Sequence, residues 1–328
     1  MSASVLNWGL LSTARINRAL IPAIKSSQRN RLLAVASRTR ETAQAYAQHW
    51  QIERALGSYE ALLEDPDIDV IYNSLPNHLH AEWSIRGLRA GKHVLCEKPL
   101  ALTVEDVDAM ADAARESARV LAEAFMYRHH PQTLKVREMV RGGQLGRPQL
   151  VRGAFTYTLT RVGDIRLKPE TGGGSIWDVG CYPISYARIL ADTEPVEVFG
   201  WQIAGDEGAD LTFVGQMRFA DGMFTQFDSS LVWPFQSYMT IIGSEAILHV
   251  PSPFKPGPHE KLILRRGDKV EEIDVHGGEL YIGEVEDMSD AVLLGKPPRI
   301  SLTDSRGNVA AIQALVQSAQ EKRPVSLP

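Results

Sequence analysis

The chain has 328 residues, of which 44% are hydrophobic and 23% charged, and its net charge is −5 at pH 7. This composition is typical of a globular protein, and the absence of a lysine- and arginine-rich block argues against a nucleic-acid partner. The N-terminus enters an apolar run at once, without a basic leader or an apolar segment long enough to cross a membrane, so we expect a cytoplasmic protein. Two cysteines, Cys96 and Cys181, provide no disulfide framework.

The first 124 residues alternate short apolar runs with amphipathic stretches. The runs predicted as strands are residues 5–11, 32–36, 55–56, 70–72, 93–97 and 120–124. Helices are predicted between them at residues 12–24, 41–50, 59–63, 81–89 and 104–114. This alternation is typical of βαβ units, so we expect an α/β fold in which residues 1–124 form a Rossmann-like dinucleotide-binding domain with a parallel sheet.

The second part of the chain, residues 125–328, has a different pattern, with apolar residues at every second position. The predicted strands are residues 151–160, 211–219, 223–231, 238–242, 246–250, 262–264 and 270–275, and the predicted helices are 134–141, 285–294 and 304–319. An alternation of period two indicates strands with one buried face. We therefore expect an α+β domain with a large open antiparallel sheet.

Lys98 lies where the predicted strand 93–97 must end. Pro99 has no amide hydrogen for a sheet and disfavours helical geometry at the residue before it. Lys98 is thereby placed at the carboxyl end of a parallel strand, where open α/β sheets bind their ligands. An ammonium group there can bind an oxygen as a point charge, or lose its proton when desolvated. The alternative is that Glu97 and Lys98 are an ordinary exposed pair.

The first strand–helix turn, residues 12–17, occupies the place of the dinucleotide fingerprint G-x-G-x-x-G, but all three glycines are substituted. The substitutes Ser12, Ala14 and Asn17 are small, and a helix N-terminus still attracts a pyrophosphate. We therefore assign this turn to cofactor binding through Ser12, Thr13, Ala14, Arg15 and Ile16.

The end of the second predicted strand suggests which dinucleotide is bound. Ser37 and Arg38 stand where an NAD-binding domain usually has an aspartate or glutamate. Because an arginine can pair with a 2′-phosphate, we expect NADP rather than NAD, the alternative being an exposed loop arginine.

The loop after the fourth strand is also expected to face the cofactor, through Leu75, Pro76, Asn77 and His80. The alternative is that this loop only begins a helix. No metal site is expected at its histidines, because no third ligand is near in sequence.

Residues 171–183 form a second unusual stretch, in which three consecutive glycines precede an apolar helix. If the stretch is helical, Asp178 and Tyr182 are four residues apart and project from one face. A carboxylate and a phenol opposite a lysine would form an acid/base cluster for a hydroxyl or carbonyl group. The alternative is a helix start in which Asp178 interacts with the helix dipole and Tyr182 is simply packed.

Together these motifs resemble the family of glucose-fructose oxidoreductase, inositol dehydrogenase and the rhizopine catabolism protein MocA. The resemblance extends over the whole chain and includes residues 12–17, 76–80, 97–99, 123–128 and 173–182. It implies that Lys98, Asp178 and Tyr182 are catalytic. It also implies cofactor contacts by Glu97, Lys98, Arg128 and Trp177. A homodimer or homotetramer formed through the C-terminal sheet is implied as well.

A tyrosine at position 182, where many members have histidine, resembles the branch of glucose-fructose oxidoreductase, dimeric dihydrodiol dehydrogenase, the NADP-dependent D-xylose dehydrogenases and anhydrofructose reductase. Within that branch, residues 8–16 and 172–182 look most like the xylose and dihydrodiol dehydrogenases. The expected reaction is therefore NADP-dependent oxidation of an aldose, most simply D-xylose, at C1 to its lactone. The alternatives are a trans-dihydrodiol dehydrogenase, a keto-sugar or anhydrofructose reductase, and a non-catalytic NADP-sensing regulator. The expected substrate contacts are Lys98, Phe155, Tyr157, Arg161, Arg166, Asp178 and Tyr182.

Overall fold

The computed structural model describes residues 5–161 and 163–327, which form two compact units. The first unit comprises the chain up to Met126 together with Tyr281–Arg306. The second comprises Tyr127–Leu280 together with the chain from Gly307 onward. No helix formed by the described residues is long and apolar enough to span a membrane.

The secondary structure comprises helices and strands with the following bounds. The helices are α1 (Asn17–Ser26), α2 (Arg40–Trp50), α3 (Tyr59–Glu64), α4 (His80–Arg89), α5 (Val104–Ser117), α6 (Pro131–Arg141), α7 (Cys181–Ala191), α8 (Ile282–Leu294) and α9 (Leu302–Glu321). The strands of the first unit are β1 (Leu6–Leu10), β2 (Asn30–Ala36), β3 (Arg54–Leu56), β4 (Val70–Asn73), β5 (His93–Glu97) and β6 (Leu121–Ala124). Those of the second unit are β7 (Pro148–Thr158), β8 (Pro195–Ala204), β9 (Asp210–Phe219), β10 (Phe224–Ser230), β11 (Val232–Gly243), β12 (Ile247–Val250), β13 (His259–Arg266), β14 (Lys269–His276) and β15 (Val325–Ser326).

The sheet of the first unit is parallel throughout, with the strand order β3-β2-β1-β4-β5-β6. Its strands are short apolar runs whose side chains, such as Trp8, Val35 and Ile71, are fully buried, as expected for a sheet covered on both faces. The strand order reverses between β1 and β4, and in doubly wound sheets ligands bind at this reversal. The predicted Rossmann-like α/β fold is confirmed.

Short polar side chains define where several helices of the first unit begin. The hydroxyl of Thr103 accepts a hydrogen bond from the amide of Asp106 at 3.1 Å, at the start of α5. Ser58 accepts one from the amide of Ala61 at 3.1 Å, at the start of α3. Each bond satisfies an amide that has no partner within its helix, which is why a helix starts at these residues.

The segment Tyr281–Arg306 returns to the first unit through polar contacts with residues far away in sequence. Arg29 forms ion pairs with Glu286 and Asp290, both on α8. Asn30 donates a hydrogen bond to Ser289 on the same helix at 2.8 Å. Because this segment lies between β14 and β15 of the second unit's sheet in sequence, no single cut divides the chain into the two units.

The sheet of the second unit has the strand order β14-β13-β12-β11-β7-β10-β9-β8-β15. Neighbouring strands are antiparallel except for β7 and β10, which run parallel. The exception has a simple cause: β10 and β11 are consecutive and run in opposite directions, and β7 lies between them. One of the two must therefore be parallel to β7. The predicted α+β class is confirmed, with a sheet that is mixed rather than wholly antiparallel.

Candidate active site

The turn between β1 and α1 is held by side-chain hydrogen bonds. The Ser12 hydroxyl lies 2.8 Å from that of Ser74 and accepts a bond from the amide of Ala14 at 3.1 Å. The amide side chain of Asn17 donates to the carbonyl of Ser12 at 2.7 Å. Ser12 and Asn17 are both buried. These two residues therefore shape the turn in which a typical fingerprint has glycines.

The N-terminus of α1 has the chemistry that a pyrophosphate requires. No side chain caps this helix, and its first turn contains no acidic residue. The amides of its first turn carry partial positive charge, to which Arg15 adds a guanidinium at the exposed side of the turn. Thr13 and Ile16 are partly exposed beside them. The residues present thus fit a dinucleotide phosphate.

The same turn opens onto a groove of about 710 Å³ in the first unit. Its lining residues come from the turn, α1 and α2: Thr13, Ala14, Arg15, Arg18, Glu41, Thr42, Ala45, Tyr46, His49 and Trp50.

Ser37 and Arg38 follow β2, so an arginine rather than a carboxylate lies at the end of this strand. Ser37 is buried and its amide donates to the carbonyl of Leu56 at 3.1 Å, which holds the strand end in place. Arg38 is exposed. Because β1 and β2 are adjacent parallel strands, their carboxyl ends lie side by side, and so do the residues that follow them. The pair fits a ribose that carries a 2′-phosphate.

His80 lies inside the first unit, where it connects the loop after β4 to the residue following Lys98. Its two ring nitrogens lie 2.8 Å from the carbonyl oxygens of Leu75 and Pro99. Burial lowers the pKa of His80 to about 4, so the ring is neutral and donates to one of the two carbonyls. His80 therefore braces the backbone, while Pro76 and Asn77 are the partly exposed residues of this loop.

Lys98 follows β5 directly and is fixed by its neighbour Glu97. One Glu97 carboxylate oxygen, Oε2, accepts the amide of Lys98 at 3.2 Å. The other, Oε1, accepts the hydroxyl of the fully buried Tyr72. Burial, together with the charges of Glu97 and Glu284, keeps the pKa of Tyr72 well above its ordinary value, so Tyr72 remains a donor. Lys98 is itself partly exposed at the end of the strand.

In the second unit, the stretch that contains Asp178 and Tyr182 is helical but begins irregularly. Residues Ile176–Gly180 form a π-helical turn, and α7 follows from Cys181. π-helical turns are rare in proteins, and those that occur often lie at functional sites. Asp178 lies in the π turn, and Tyr182 lies in the first turn of α7.

Tyr157 and Arg166, both in the second unit, hold the carboxylate of Asp178. The hydroxyl of Tyr157 donates to its Oδ2 at 2.7 Å, and Nε of Arg166 lies 3.1 Å from its Oδ1. The charge of Asp178 raises the pKa of Arg166, and burial followed by the same charge raises that of Tyr157. Arg166 also pairs with Asp164 at 3.1 Å. Arg166 and Tyr157 thus remain protonated and fix the orientation of the carboxylate.

Tyr182 lies in an aromatic cluster and is 4% exposed. Its ring centroid is 5.2 Å from that of Phe155, 5.5 Å from that of Phe254 and 5.6 Å from that of Tyr127. Edge-to-face and tilted contacts at these distances are favourable and leave the ring little freedom to turn. Sequence reasoning missed Phe254, whose one signal is its position as the aromatic residue in the proline-rich stretch 251–258.

The remaining predicted site residues of the second unit have varied surroundings. Arg128 donates to the hydroxyl of Ser185 on α7 at 2.9 Å. Trp177 is partly exposed in the π turn, and Arg161 is exposed after β7. The structure thus brings together Tyr157, Arg166 and Asp178 in one set of contacts and Phe155 and Tyr182 in another, both within this unit. Within residues 5–161 and 163–327, no group of three or more histidine, cysteine or acidic side chains could hold a metal ion.

Comparison with known proteins gives matches over both parts of the chain. The family model described as "Oxidoreductase family, NAD-binding Rossmann fold" matches residues 6–125. The model of the GFO/IDH/MocA C-terminal domain matches residues 133–249. The chain is 34% identical to a D-xylose 1-dehydrogenase (NADP(+)) from Haloferax volcanii, with 98% of this chain and 99% of the relative covered.

Two solved structures share the fold over nearly the whole chain. An aldose-aldose oxidoreductase from Caulobacter crescentus, complexed with glycerol, has a TM-score of 0.91 at 26% identity, covering 98% of this chain and 100% of that one. A 3-ketoreductase from Actinomadura kijaniata, in complex with NADP and TDP-benzene, has a TM-score of 0.90 at 30% identity, covering 96% and 98%. With family models matched in both parts of the chain, this protein belongs to the glucose-fructose oxidoreductase, inositol dehydrogenase and MocA family and is an oxidoreductase with a Rossmann-type nucleotide-binding domain.

Proposed function

We propose that this protein is an NADP-dependent sugar dehydrogenase that oxidises the C1 hydroxyl of an aldose, most simply D-xylose, to the lactone. The observation that carries the proposal is the fixed carboxylate of Asp178 four residues before Tyr182, in a chain that also places Lys98 at a strand end. These are the residue types that a hydroxyl oxidation requires. The D-xylose dehydrogenase relative supports the choice of sugar.

The reaction removes a proton from the C1 oxygen and a hydride from C1. Bound NADP⁺ supplies the hydride acceptor. Tyr182 takes the hydroxyl proton, and Lys98 donates a hydrogen bond to the same oxygen. In the reverse direction Tyr182 returns the proton to the carbonyl oxygen.

Asp178 is proposed to orient the sugar rather than to transfer a proton. Each of its oxygens already has a partner, from Tyr157 or Arg166. A carboxylate oxygen has further lone pairs, so Asp178 can still accept hydrogen bonds from sugar hydroxyls. Arg166, whose side chain is 42% exposed, and the exposed Arg161 are the proposed donors to the sugar. Phe155 and Tyr157 are proposed as the apolar surface beneath the sugar.

The preference for NADP is proposed from the first unit. The uncapped N-terminus of α1 fits the pyrophosphate, and Ser37 and Arg38 fit a 2′-phosphate. Leu75, Pro76, Asn77, Glu97, Arg128 and Trp177 are proposed as further cofactor contacts. The NADP-bound 3-ketoreductase structure and the NADP-dependent relative support this choice.

We also propose that the protein is a homodimer, or a tetramer, assembled through the open face of the second unit's sheet. Large apolar side chains are exposed on this sheet, including Trp201, Ile203 and Phe224. Trp201 on β8 lies directly opposite the exposed Val214 on β9. Adjacent apolar residues of this kind are typical of a surface that is covered by a partner.

A second candidate is reduction of a keto-sugar, which the similarity to the 3-ketoreductase favours. Oxidation of a trans-dihydrodiol would use the same residues. A non-catalytic NADP sensor would need neither Tyr182 nor Lys98 as proton-handling groups.

The test is to follow NADPH absorbance with a panel of aldoses, keto-sugars and trans-dihydrodiols, in the presence of NADP⁺ or NADPH as appropriate. Formation of NADPH with an aldose supports the proposal, and consumption of NADPH with a keto-sugar supports the second candidate. NADPH binding without turnover of any class would contradict both. Lys98→Met should abolish the turnover found with the best substrate, and unchanged turnover would contradict the assigned chemistry.

A further inference from the structure

We propose that Asp210, at the start of β9, is the positioning residue for Asp178 and Tyr182. Its carboxylate fixes the first residues of the helical stretch in which both lie, although it belongs to neither the stretch nor the site. The proposal rests on the proposed function for the effect on turnover, but the anchoring itself can be measured without a substrate.

Asp210 makes a compact set of contacts with the residues that precede the π turn. Its Oδ2 accepts the hydroxyl of Ser175 at 2.5 Å and the amide of Ile176 at 3.0 Å. Its Oδ1 faces Gly174, where a Cβ atom would lie only 2.1 Å away and where φ is +122°. Asp210 is thus hydrogen-bonded to two consecutive residues and closely packed against a third.

These contacts have the character of a helix cap supplied from another element. The first amides of a helical stretch have no partner within it, and a carboxylate is a strong acceptor for them. Ser175 provides no side-chain cap for the stretch, although it is the N-cap residue. Its hydroxyl is instead directed to Asp210 and lies 3.0 Å from that of Ser229 on β10.

The anchored residues lead directly to the catalytic pair. The amide of Asp178 donates to the carbonyl of Gly174 at 3.0 Å, so the position of Gly174 determines that of Asp178. Further along, a Cβ atom at Gly180 would lie 3.0 Å from the hydroxyl of Ser229, which shows how closely the turn approaches the sheet. A small shift at Gly174 is therefore passed on to Asp178, and the turn has no spare room in which to absorb it.

The pKa of Asp210 lies in a pH range in which enzyme activity can be measured. Burial raises its pKa to about 6, and hydrogen bonds from the Ser175 hydroxyl and from the amides of Ser175, Ile176 and Asp210 itself oppose the rise. The groups that oppose the rise in pKa are uncharged hydrogen-bond donors. Protonation below about pH 6 would weaken the acceptor that holds Ser175 and Ile176.

The raised pKa of Asp210 determines how its titration changes the stability of the folded protein. The ordinary value is 3.8 and the folded value about 6, so protonation favours the folded state. This contribution is fully present below about pH 4 and is lost as the pH rises through about 6. The ionised carboxylate is thus unfavourable for stability at neutral pH.

The experiment compares Asp210→Asn and Asp210→Ala with the wild type, with Asp221→Asn as the matched control. Asp221 lies in the turn at the other end of β9, where it accepts the amide of Met223 at 3.0 Å. We expect hydrogen exchange at residues 175–182 to accelerate in both Asp210 variants and to remain unchanged in the control. NADPH affinity should be unchanged in all three variants.

With a turned-over sugar, kcat should fall about 100-fold in Asp210→Ala, in line with the cost of misplacing a catalytic group by about 1 Å. Asp210→Asn keeps an acceptor for Ile176 and should recover part of this loss. The wild-type kcat should decrease below about pH 6, and this step should be absent in Asp210→Asn.

If Asp210→Ala does not fold, the same measurements are made on Asp210→Asn and Ser175→Ala. Unchanged exchange at residues 175–182 in Asp210→Asn, or the same pH step in wild type and variant, would overturn the proposal. If no sugar is turned over, the exchange measurement still decides whether Asp210 anchors the stretch, while the proposed function fails separately.

Discussion

In the first unit, the residues assigned to the cofactor lie on backbone turns that follow parallel strands, whereas in the second unit the residues assigned to the substrate lie in a network of side chains. The proposed phosphate site at the Ser12 turn consists of the first amides of α1, and these amides are present without the three fingerprint glycines. Asp178, by contrast, depends on Tyr157 and Arg166. Binding of the pyrophosphate should therefore withstand single substitutions that turnover does not.

The largest expected effect is that of Tyr182→Phe. Removing the hydroxyl eliminates the proposed proton acceptor, and general acid–base catalysis typically contributes about 10²- to 10⁴-fold. The ring remains packed against Phe155 and Phe254, so the thermal midpoint should change little. Steady-state kinetics and thermal unfolding measure the two quantities.

Tyr186→Phe is the matched control, since Tyr186 is a fully buried phenol stacked on Tyr127 in the same cluster. It should retain most of the activity. Equal loss in the two variants would mean that the cluster's packing, not the Tyr182 hydroxyl, limits turnover.

Tyr157→Phe should have the next largest effect, on kcat/KM for the sugar. It removes the 2.7 Å hydrogen bond to Asp178, and bonds to charged groups are worth about 1.5–3 kcal/mol, or about 10- to 100-fold. The KM for NADP should not change, because Tyr157 belongs to the substrate side. Tyr238→Phe on β11 is a suitable control, and a loss confined to NADP affinity would refute the assignment.

Arg38→Ala should separate the two dinucleotides. Loss of a charge-assisted pair with the 2′-phosphate should weaken NADP binding about 10- to 100-fold, while NAD binding stays nearly constant. Dissociation constants from fluorescence titration measure both. Arg31→Ala, also on the first unit and paired at the surface with Glu53, is the control. Equal weakening of NAD and NADP would contradict the proposed preference.

The sequence was sufficient to predict the parallel sheet, because its buried strands are continuous apolar runs between helix signals. Strand β8 is not predicted from the sequence, because both of its faces carry apolar residues. Phe199, Trp201 and Ile203 lie on the face opposite Val198, so apolar and polar residues do not alternate. A strand whose exposed face is also apolar cannot be predicted from the alternation of apolar and polar residues.

The candidate site was predictable where a local rule applied and not where distant residues act. Pro99 places Lys98 at a strand end, and a spacing of four relates Asp178 to Tyr182. The π turn has no such local signal, because its start is held by Asp210, which follows it by more than thirty residues in the sequence. Likewise, the amphipathic pattern of α8 predicts a helix but not that Glu286 pairs with Arg29.

The smallest effect on activity is expected from Thr103→Ala, which tests whether the first unit's helices can be weakened without affecting function. The substitution removes the cap of α5, at a typical cost of about 1 kcal/mol in the free energy of unfolding. Neither kcat nor the KM for NADP should change, because the backbone at the strand ends stays in place. Ser117→Ala, at the other end of α5, is the control: its hydroxyl donates to the Ala113 carbonyl at 2.7 Å, and alanine's higher helix propensity offsets the lost bond. Denaturant unfolding and kinetics on the same preparations measure both quantities. A loss of turnover in Thr103→Ala larger than that in Tyr157→Phe would reverse the contrast between the two units.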